Sequence, residues 1–328
     1  MASFEQGVAL IIGVGNYVGE GFASLPATVR DAMSIARVLK DASLCAYPED
    51  RVTMITGDNA SRRRILNALG DLGKQTSPES TVVIFFSGHG GQIQTESGVE
   101  TYLCPRGADI NELDVTAISC AMFSAALKQI PARKLLVILD CCYAAGAAEL
   151  KSGEVSSSGW KGGLDNSALK ALESGSGRVI LASSERSQPS YIDRSGQQSL
   201  FTRHLIAALE GALPAPENGI IGILDLFNYV AAKVPQDQPG QRPILHAGHL
   251  DSNFPVALYR GGQKGAGSAA APAPVATPTA PSIHVENINS PIGTQVTASG
   301  GTVTVDNSGL SVEMLREITR KRDAEDDN

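Results

Sequence analysis

Residues 134–146 read KLLVILDCCYAAG, a short continuous apolar run that ends in an aspartate and two adjacent cysteines. Three more runs rich in Val, Ile, Leu or Phe occur at residues 8–14, 81–86 and 178–182. Continuous runs of this length are typical of strands covered on both faces of a parallel sheet. Helical patterns lie between them, at residues 28–41, 59–72, 116–129 and 200–210. The alternation predicts an α/β sandwich with a mostly parallel central sheet flanked by helices.

Composition excludes several classes of protein. The 328 residues carry a net charge of −7, which gives no support to nucleic-acid binding. The apolar run at residues 8–12 is too short to span a bilayer and follows no basic segment, so we expect a cytoplasmic protein without a membrane partner. The five cysteines are odd in number and form no CxxC pair, which argues against a disulfide framework or a zinc site.

The chain divides by composition. Residues 1–260 are predicted to form the main domain, in two parts of about 1–150 and 178–260 joined by a Ser/Gly-rich mobile loop. Residues 261–281 are rich in Ala, Pro and Gly and are predicted to be a linker. Residues 282–328 contain two alternating β-prone stretches and then a helix with Val312, Leu315 and Ile318 on one face. We expect this small β/α appendage to be an assembly or partner-binding module.

Two of the predicted strands lead into reactive residues. The run at 81–86 is followed by Ser87-Gly88-His89-Gly90-Gly91, and the run at 134–139 by Asp140-Cys141-Cys142. Functional groups gather outside the carboxyl ends of the strands in an open parallel sheet. We therefore expect His89 and Cys142 to meet in one crevice. The glycines allow close backbone approach and leave N–H groups available to a developing oxyanion.

These motifs resemble those of the caspase/metacaspase cysteine peptidases. FFSGHGG and ILDCCYAAG resemble the SGHG and D-x-C-x-x-G motifs of that family. Positions 89 and 142 are 53 residues apart, close to the spacing of about 50 known for caspases. ALIIGVGNY, LPATVRDA, ASSERSQPSYID and SLFTRHLIAALEG are also similar to family segments, so the resemblance extends over residues 9–246.

The resemblance implies a cysteine endopeptidase. Its D-x-C register selects Cys142 as the nucleophile rather than Cys141, with His89 as its partner and the backbone N–H groups of Gly90 and Cys142 as the oxyanion site. No third member of a triad is evident in the sequence.

Substrate selection follows from the same resemblance. Asp31 and Asp140 match the acids that line the P1 pocket of metacaspases, with Ser87 as a further candidate, and they predict protein or peptide substrates with Arg or Lys before the cut. The loop at residues 148–177 contains Lys151, Lys161 and Lys170 and is the predicted site of self-processing.

The same sequence bears on a cofactor and on other functions. The chemistry needs no cofactor, although metacaspases often bind calcium as an activator. The acids that could serve here are scattered along the chain, at Glu96, Glu100, Asp109, Glu112 and Asp114. The metal ligands therefore stay unknown. One alternative is a non-catalytic caspase-like scaffold, and another is a related peptidase with a different P1 preference. The glycines at positions 13, 15 and 19 have the spacing GxGxxxG, which departs from the dinucleotide-binding pattern.

Overall fold

The computed structural model describes most of the chain. The described residues are 3–95, 98–143, 172, 177–185, 188–193, 195–247, 250, 252–260, 284–286, 294–298 and 301–305. They form strands and helices that confirm the predicted α/β class, with a mostly parallel central sheet between layers of helices. None of the helices in these ranges combines the length and the apolar character that crossing a bilayer requires.

The strands of the described residues come from the whole length of the chain. In chain order they are β1 (Gly7–Gly13), β2 (Val52–Thr56), β3 (Thr81–Thr95), β4 (Gly98–Leu103), β5 (Ile118–Ser119), β6 (Lys134–Tyr143), β7 (Arg178–Ala182), β8 (Ile220–Gly222), β9 (Ile244–Ala247), β10 (Pro255–Leu258), β11 (His284–Glu286), β12 (Thr294–Ala298) and β13 (Gly301–Val305). Of the strands in the described ranges, only β8 and β10 stand outside the central sheet, as a small antiparallel pair. Every residue of β1 is buried, as expected for a strand covered on both faces.

The middle of the sheet is parallel. β2, β1, β3, β6 and β7 lie side by side in that order and run in one direction. β9 pairs antiparallel with β7, and β4 pairs antiparallel with the second half of β3. The carboxyl ends of β1, β3 and β6 therefore meet at the same edge of the sheet.

Helices cover both faces of the sheet. They are α1 (Pro26–Lys40), α2 (Arg62–Gln75), α3 (Leu113–Thr116), α4 (Cys120–Leu127), α5 (Leu200–Ala207) and α6 (Ile223–Asp237). Ser61, Ser119 and Ser199 are the N-cap residues of α2, α4 and α5, and the hydroxyl of each accepts a hydrogen bond from a backbone N–H of the first turn. These caps explain where the three helices begin, because the first N–H groups of a helix have no partner within it.

Strand alternation divides the core in two. Ile138 of β6 belongs to the buried cluster under α1, α5 and α6, whereas Leu139 belongs to the cluster under α2 and α4. In β3, Phe85 and Phe86 divide in the same way. Successive side chains of a strand point to opposite faces, so the one continuous apolar run supplies both cores.

Two strands extend beyond the ends that the sequence predicts. The apolar runs end at positions 86 and 139, yet β3 and β6 stay paired through Gly90 opposite Tyr143, and β3 continues along β4. The prediction that His89 and Cys142 follow the strand ends is wrong, because both lie within strands. Pairing with β6 and β4 supplies backbone partners along this segment and outweighs the low strand propensity of the glycines.

The helix predicted at residues 116–129 also differs. Ile118–Ser119 pairs with β4 as β5, and the helix begins at Cys120 after its Ser119 cap. Pairing with a neighbouring strand overrides the local helical pattern at this point.

The C-terminal strands extend the central sheet. β11, β12 and β13 form an antiparallel arrangement, as the β-prone stretches predict, and β13 pairs in parallel with β9 from Thr302 to Val305. The pairing places β13 at the edge of the central sheet, because an edge strand such as β9 has unpaired backbone groups that another strand can satisfy. The linker at 261–281 and the predicted helix with Val312, Leu315 and Ile318 lie outside the described residues. The assembly role of residues 282–328 stays a prediction.

Candidate active site

His89 and Cys142 occupy opposite positions on adjacent strands. β3 pairs in parallel with the whole length of β6, and the register sets His89 directly opposite Cys142. Neighbouring strands are about 4.8 Å apart, so the two backbones are as close as a sheet allows. The thiol of Cys142 lies outside the described part of the chain. The structure thus brings together the backbones of the two residues for which the sequence predicts a shared crevice.

The His89 ring is held by a backbone carbonyl. Its Nε2 lies 2.8 Å from the carbonyl oxygen of Ala23, in the segment between β1 and α1. A carbonyl oxygen only accepts hydrogen bonds, so Nε2 carries the proton. In the neutral imidazole the lone pair then lies on Nδ1, which becomes the basic nitrogen. His89 is 1% exposed, which limits the other orientations its ring can take.

Tyr17 fixes the backbone of His89. The Tyr17 hydroxyl accepts a hydrogen bond of 2.7 Å from the His89 N–H, and its ring centroid lies 4.7 Å from that of His89. The ring of Phe22 approaches His89 at 5.4 Å. A side chain at Gly88 would place its Cβ 2.9 Å from the Tyr17 hydroxyl, so this glycine permits the contact.

Cys141 lies on the opposite face of β6 from Asp140. It is 4% exposed and belongs to the buried cluster under α2 and α4. By the two-residue period of a strand, positions 140 and 142 share the other face. Cys141 is therefore a small buried residue of the core.

The two predicted specificity acids lie in one buried cluster. Asp140 accepts hydrogen bonds from the hydroxyls of Ser190 (2.9 Å) and Thr202 (2.7 Å). Asp31 accepts the backbone N–H of Ser199, at 3.1 Å to Oδ1 and 3.3 Å to Oδ2. The side chain of Ser199 also hydrogen-bonds Asp140, so this one residue joins the two carboxyl groups.

Burial raises the pKa of both carboxyl groups. The pKa of Asp31 rises to about 8, first because the group is buried and second because of the negative charge of Asp140, while the Ser199 N–H acts in the opposite direction. The pKa of Asp140 is raised by burial and lowered in part by its hydroxyl partners. Two nearby carboxylates without water around them cannot both ionise easily. The pair therefore holds a proton at neutral pH, when no cation is bound.

Ser87 lies beside this pair. It is the register partner of Asp140 on β3, and it is buried. Asp31 and Asp140 are 0% and 1% exposed, so the three residues form a closed polar cluster in this structure. A groove of ≈ 600 Å³ has in its lining Tyr191 and Leu200, the chain neighbours of Ser190 and Ser199. Its lining also includes Ile192 and Asp193.

Gly90 occupies a paired position rather than an open turn. It lies opposite Tyr143 of β6 and opposite Leu103 of β4. The sequence predicts that its N–H, with that of Cys142, faces a developing oxyanion, and that role stays a prediction.

The candidate calcium ligands do not gather in the described residues. Within those residues, no three His, Cys, Asp or Glu side chains are grouped as a metal site requires. The Glu100 carboxylate accepts the hydroxyl hydrogen of Tyr102, and Asp109 accepts backbone N–H groups of Glu20 and Asn111. Glu96 lies outside the described residues. Glu100 and Asp109 therefore have protein partners in this structure, and activation by calcium stays a prediction.

Sequence reasoning missed the residues that support the site. Ala23 acts through its carbonyl oxygen, which every residue type has, so no sequence signal could identify it. Tyr17, Ser190 and Thr202 lie in segments that resemble the family, GNY, PSYID and SLFTRH, and that placement was the only available signal.

Fold and site together define a class. The protein has an α/β sandwich in which a histidine and a cysteine lie side by side on adjacent parallel strands, next to a buried acidic cluster. The caspase domain family, peptidase C14, matches residues 6–255. The chain therefore belongs to the caspase-domain family, a family of cysteine peptidases, as the motifs predict.

Individual relatives are distant. Metacaspase-1 from Candida glabrata is 27% identical over 154 residues, which cover 43% of this chain and 38% of the relative. The protein GSU0716 from Geobacter sulfurreducens matches with a TM-score of 0.56 and 16% identity, over 77% of this chain and 99% of that chain, which shows a shared fold. Caspase-1 from Spodoptera frugiperda aligns with a TM-score of 0.47 and 17% identity, over 82% of this chain and 94% of the other.

Proposed function

We propose that this protein is a cysteine endopeptidase that cleaves proteins after Arg or Lys, with Cys142 as the nucleophile and His89 as its acid–base partner. The observation that carries the proposal is the register of His89 and Cys142, together with the Ala23 carbonyl that leaves Nδ1 of His89 as the basic nitrogen. Nucleophile, base and a group that orients the base are the parts that covalent catalysis needs.

The first half-reaction forms an acyl-enzyme. His89 Nδ1 takes the proton of the Cys142 thiol, and the thiolate sulfur attacks the carbonyl carbon of the scissile bond. The carbonyl electrons move to oxygen, where the N–H groups of Gly90 and Cys142 stabilise the charge. His89 then gives its proton to the leaving nitrogen, the C–N bond breaks, and a thioester remains on Cys142.

The second half-reaction restores the enzyme. His89 Nδ1 removes a proton from water, and the hydroxide oxygen attacks the thioester carbonyl. The C–S bond breaks, the new carboxylic acid leaves, and His89 returns its proton to the sulfur. Tyr17 and Ala23 hold His89 in place through both halves, because they bind its backbone N–H and its Nε2–H.

The buried acidic cluster supports the choice of a basic side chain. Asp31, Asp140 and Ser87 offer carboxylate and hydroxyl oxygens, which match the donors of a guanidinium or ammonium group. An acidic side chain at P1 would add a second negative charge to a buried pair that already carries one, which is strongly unfavourable. The cluster therefore favours Arg and Lys over Asp.

Self-processing belongs to the same proposal. Residues 148–177 contain Lys151, Lys161 and Lys170 in a Ser/Gly-rich context, which is suited to cleavage after Lys. The enzyme would then be a zymogen, acting in a cytoplasmic signalling or defence pathway. Mass spectrometry of the wild type beside Cys142→Ala tests this, because cuts after these lysines are expected only in the wild type.

A panel of fluorogenic peptides tests the main proposal. Peptides that differ only in a terminal Arg, Lys or Asp are compared with and without calcium. Cleavage of the Arg and Lys peptides with little cleavage of the Asp peptide is the expected result. A preference for Asp refutes the basic specificity, and no cleavage of any peptide by the folded protein favours a non-catalytic scaffold.

A further inference from the structure

The Asp140 carboxylate is held by a ring of hydroxyl groups. Thr202 Oγ1 donates to Oδ2 at 2.7 Å, and Ser190 Oγ donates to Oδ1 at 2.9 Å, so each oxygen has its own donor. The side chains of Ser199 and Ser183 also hydrogen-bond Asp140. Thr202, Ser190 and Asp140 are all buried, so water cannot substitute for a lost donor without a rearrangement.

A second layer sets the direction of the Ser190 hydroxyl. Gln241, which is fully buried, donates from Nε2 to Ser190 Oγ at 3.2 Å and to the Ser183 carbonyl at 3.1 Å. Its Oε1 accepts the Tyr191 N–H at 3.1 Å, which fixes the orientation of the amide. An amide NH₂ only donates, so Ser190 Oγ accepts from it and must direct its own hydrogen to Asp140.

Other charged groups meet the same cluster from two sides. On α1, Asp31 faces Asp140, and Arg30 lies beside Asp31 with its guanidinium donating to the carbonyl oxygens of Gly196 and Gln197. Asp193 acts on Asp31 from the loop before α5. On β3, His89 follows two residues after Ser87, the register partner of Asp140. The hydroxyl donors are thus neutral groups that favour a charged Asp140 against the effect of its burial.

We propose that Thr202 and Ser190 are positioning residues for substrate selection: their hydroxyl groups hold Asp140 in one orientation and favour its charged form, and so set how tightly a basic P1 side chain binds. The inference rests on the proposed function, since it assigns their effect to the P1 pocket. Neither residue touches the reacting atoms, so both act through Asp140 on substrate binding rather than on bond cleavage.

The main test replaces one hydroxyl by a methyl group. Thr202→Val keeps the shape of the side chain and removes the donor. The KM for the Arg peptide should rise about tenfold at pH 7, as expected for the loss of a hydrogen bond to a charged group, while kcat changes by less than about threefold. The low-pH limb of kcat/KM should move to higher pH, because Asp140 without this donor gives up its proton less readily.

Three further variants separate this role from a structural one. Thr202→Ser keeps the hydroxyl and should restore the KM and the pH profile of the wild type. Ser190→Ala removes the donor to the other oxygen and should repeat the effect of Thr202→Val, which keeps the test decisive if that variant folds poorly. Thr76→Val is the matched control, because its hydroxyl donates to the Leu72 carbonyl at the opposite edge of the sheet, and all its kinetic constants should match the wild type.

The outcomes separate this inference from the proposed function. If the folded wild type cleaves no Arg or Lys peptide, the proposed function is wrong and this inference is overturned with it. If the wild type cleaves them and Ser190→Ala and Thr202→Val keep its KM and pH profile, only this inference is overturned. A loss of kcat with unchanged KM, or a failure of Thr202→Ser to restore KM, also overturns it.

Discussion

His89 and Cys142 are register partners on adjacent parallel strands, so sheet pairing itself fixes the distance between their backbones. A loop-borne pair would depend on the conformation of two connections. Here each residue sits in a strand that is paired and buried, which gives the site a rigid base.

The two adjacent cysteines should behave differently. Cys142→Ala should abolish peptide cleavage, because it removes the proposed nucleophile opposite His89. Cys141→Ala is the matched control and should retain most of the activity at a cost of about 1 kcal/mol of stability, since it only leaves a small gap in the core under α2 and α4. Active-site titration with a thiol reagent and thermal unfolding measure the two effects. Equal loss of activity in both folded variants refutes the assignment of Cys142.

Tyr17→Phe should slow catalysis. The change removes the acceptor of the buried His89 N–H, at a cost of about 1–3 kcal/mol, and loosens the histidine. We expect kcat to fall about tenfold with little change in KM for the Arg peptide. Tyr47→Phe is the control, because that hydroxyl is also buried and donates to the Val256 carbonyl away from the site. If the two variants lose kcat equally, the effect of Tyr17 is one of general stability.

Asp31→Asn should trade activity for stability. The folded pKa of about 8 lies above the ordinary value of 3.8, so the folded state binds the proton more tightly than the unfolded state. The contribution of Asp31 to stability is therefore complete below about pH 4 and is lost as pH rises through 8. Asparagine does not ionise, so the melting temperature of the variant should gain on the wild type as pH rises from about 4 to about 8, while cleavage of the Arg peptide falls.

The exposed acid Asp71 provides the comparison for that experiment. It pairs with Lys74 on the surface of α2, and Asp71→Asn should shift the melting temperature by a small amount that does not grow through pH 8. A wild type that gains stability relative to Asp31→Asn as pH rises contradicts the raised pKa.

Removal of residues 261–328 should change association more than catalysis. The deletion takes away β13 and exposes the backbone edge of β9, which favours pairing with a second copy. Light scattering should report larger species, while activity per active site stays within about threefold of the full chain. Val303→Pro in the full chain should act in the same direction, since proline removes a donor from β13. A monomeric truncated protein contradicts this prediction, and a sharp rise in activity indicates an inhibitory tail.

The sequence predicts the main strands and helices because their buried positions form apolar patterns along the chain. Continuous apolar runs identify β1, β3, β6 and β7, and the helical patterns identify α1, α2 and α5 within a few residues. The SGHG and D-x-C motifs then identify the family. Strand ends are less well predicted, because the Gly-rich segment after Phe86 becomes a strand only through pairing with β6 and β4.

The supporting shell of the site could not be predicted. Ser190 and Thr202 are common polar residues, and only the fold brings them to the carboxylate 50 and 62 positions away along the chain. Asp31 and Asp140 were identified by motif, yet their shared burial depends on α1 and α5 packing on the same face of the sheet. Such long-range contacts leave no periodicity in the sequence.

The hydrogen bond from His89 to Ala23 has a consequence for variation. Most amino-acid exchanges at position 23 leave a carbonyl oxygen in the main chain, so point substitutions there leave the acceptor chemically intact. Neither neutral substitution nor alanine scanning would therefore reveal the role of this carbonyl oxygen. The histidine can lose this partner only if the path of the segment before α1 moves, and inserting or deleting a residue between Phe22 and Pro26 is the genetic change that achieves this.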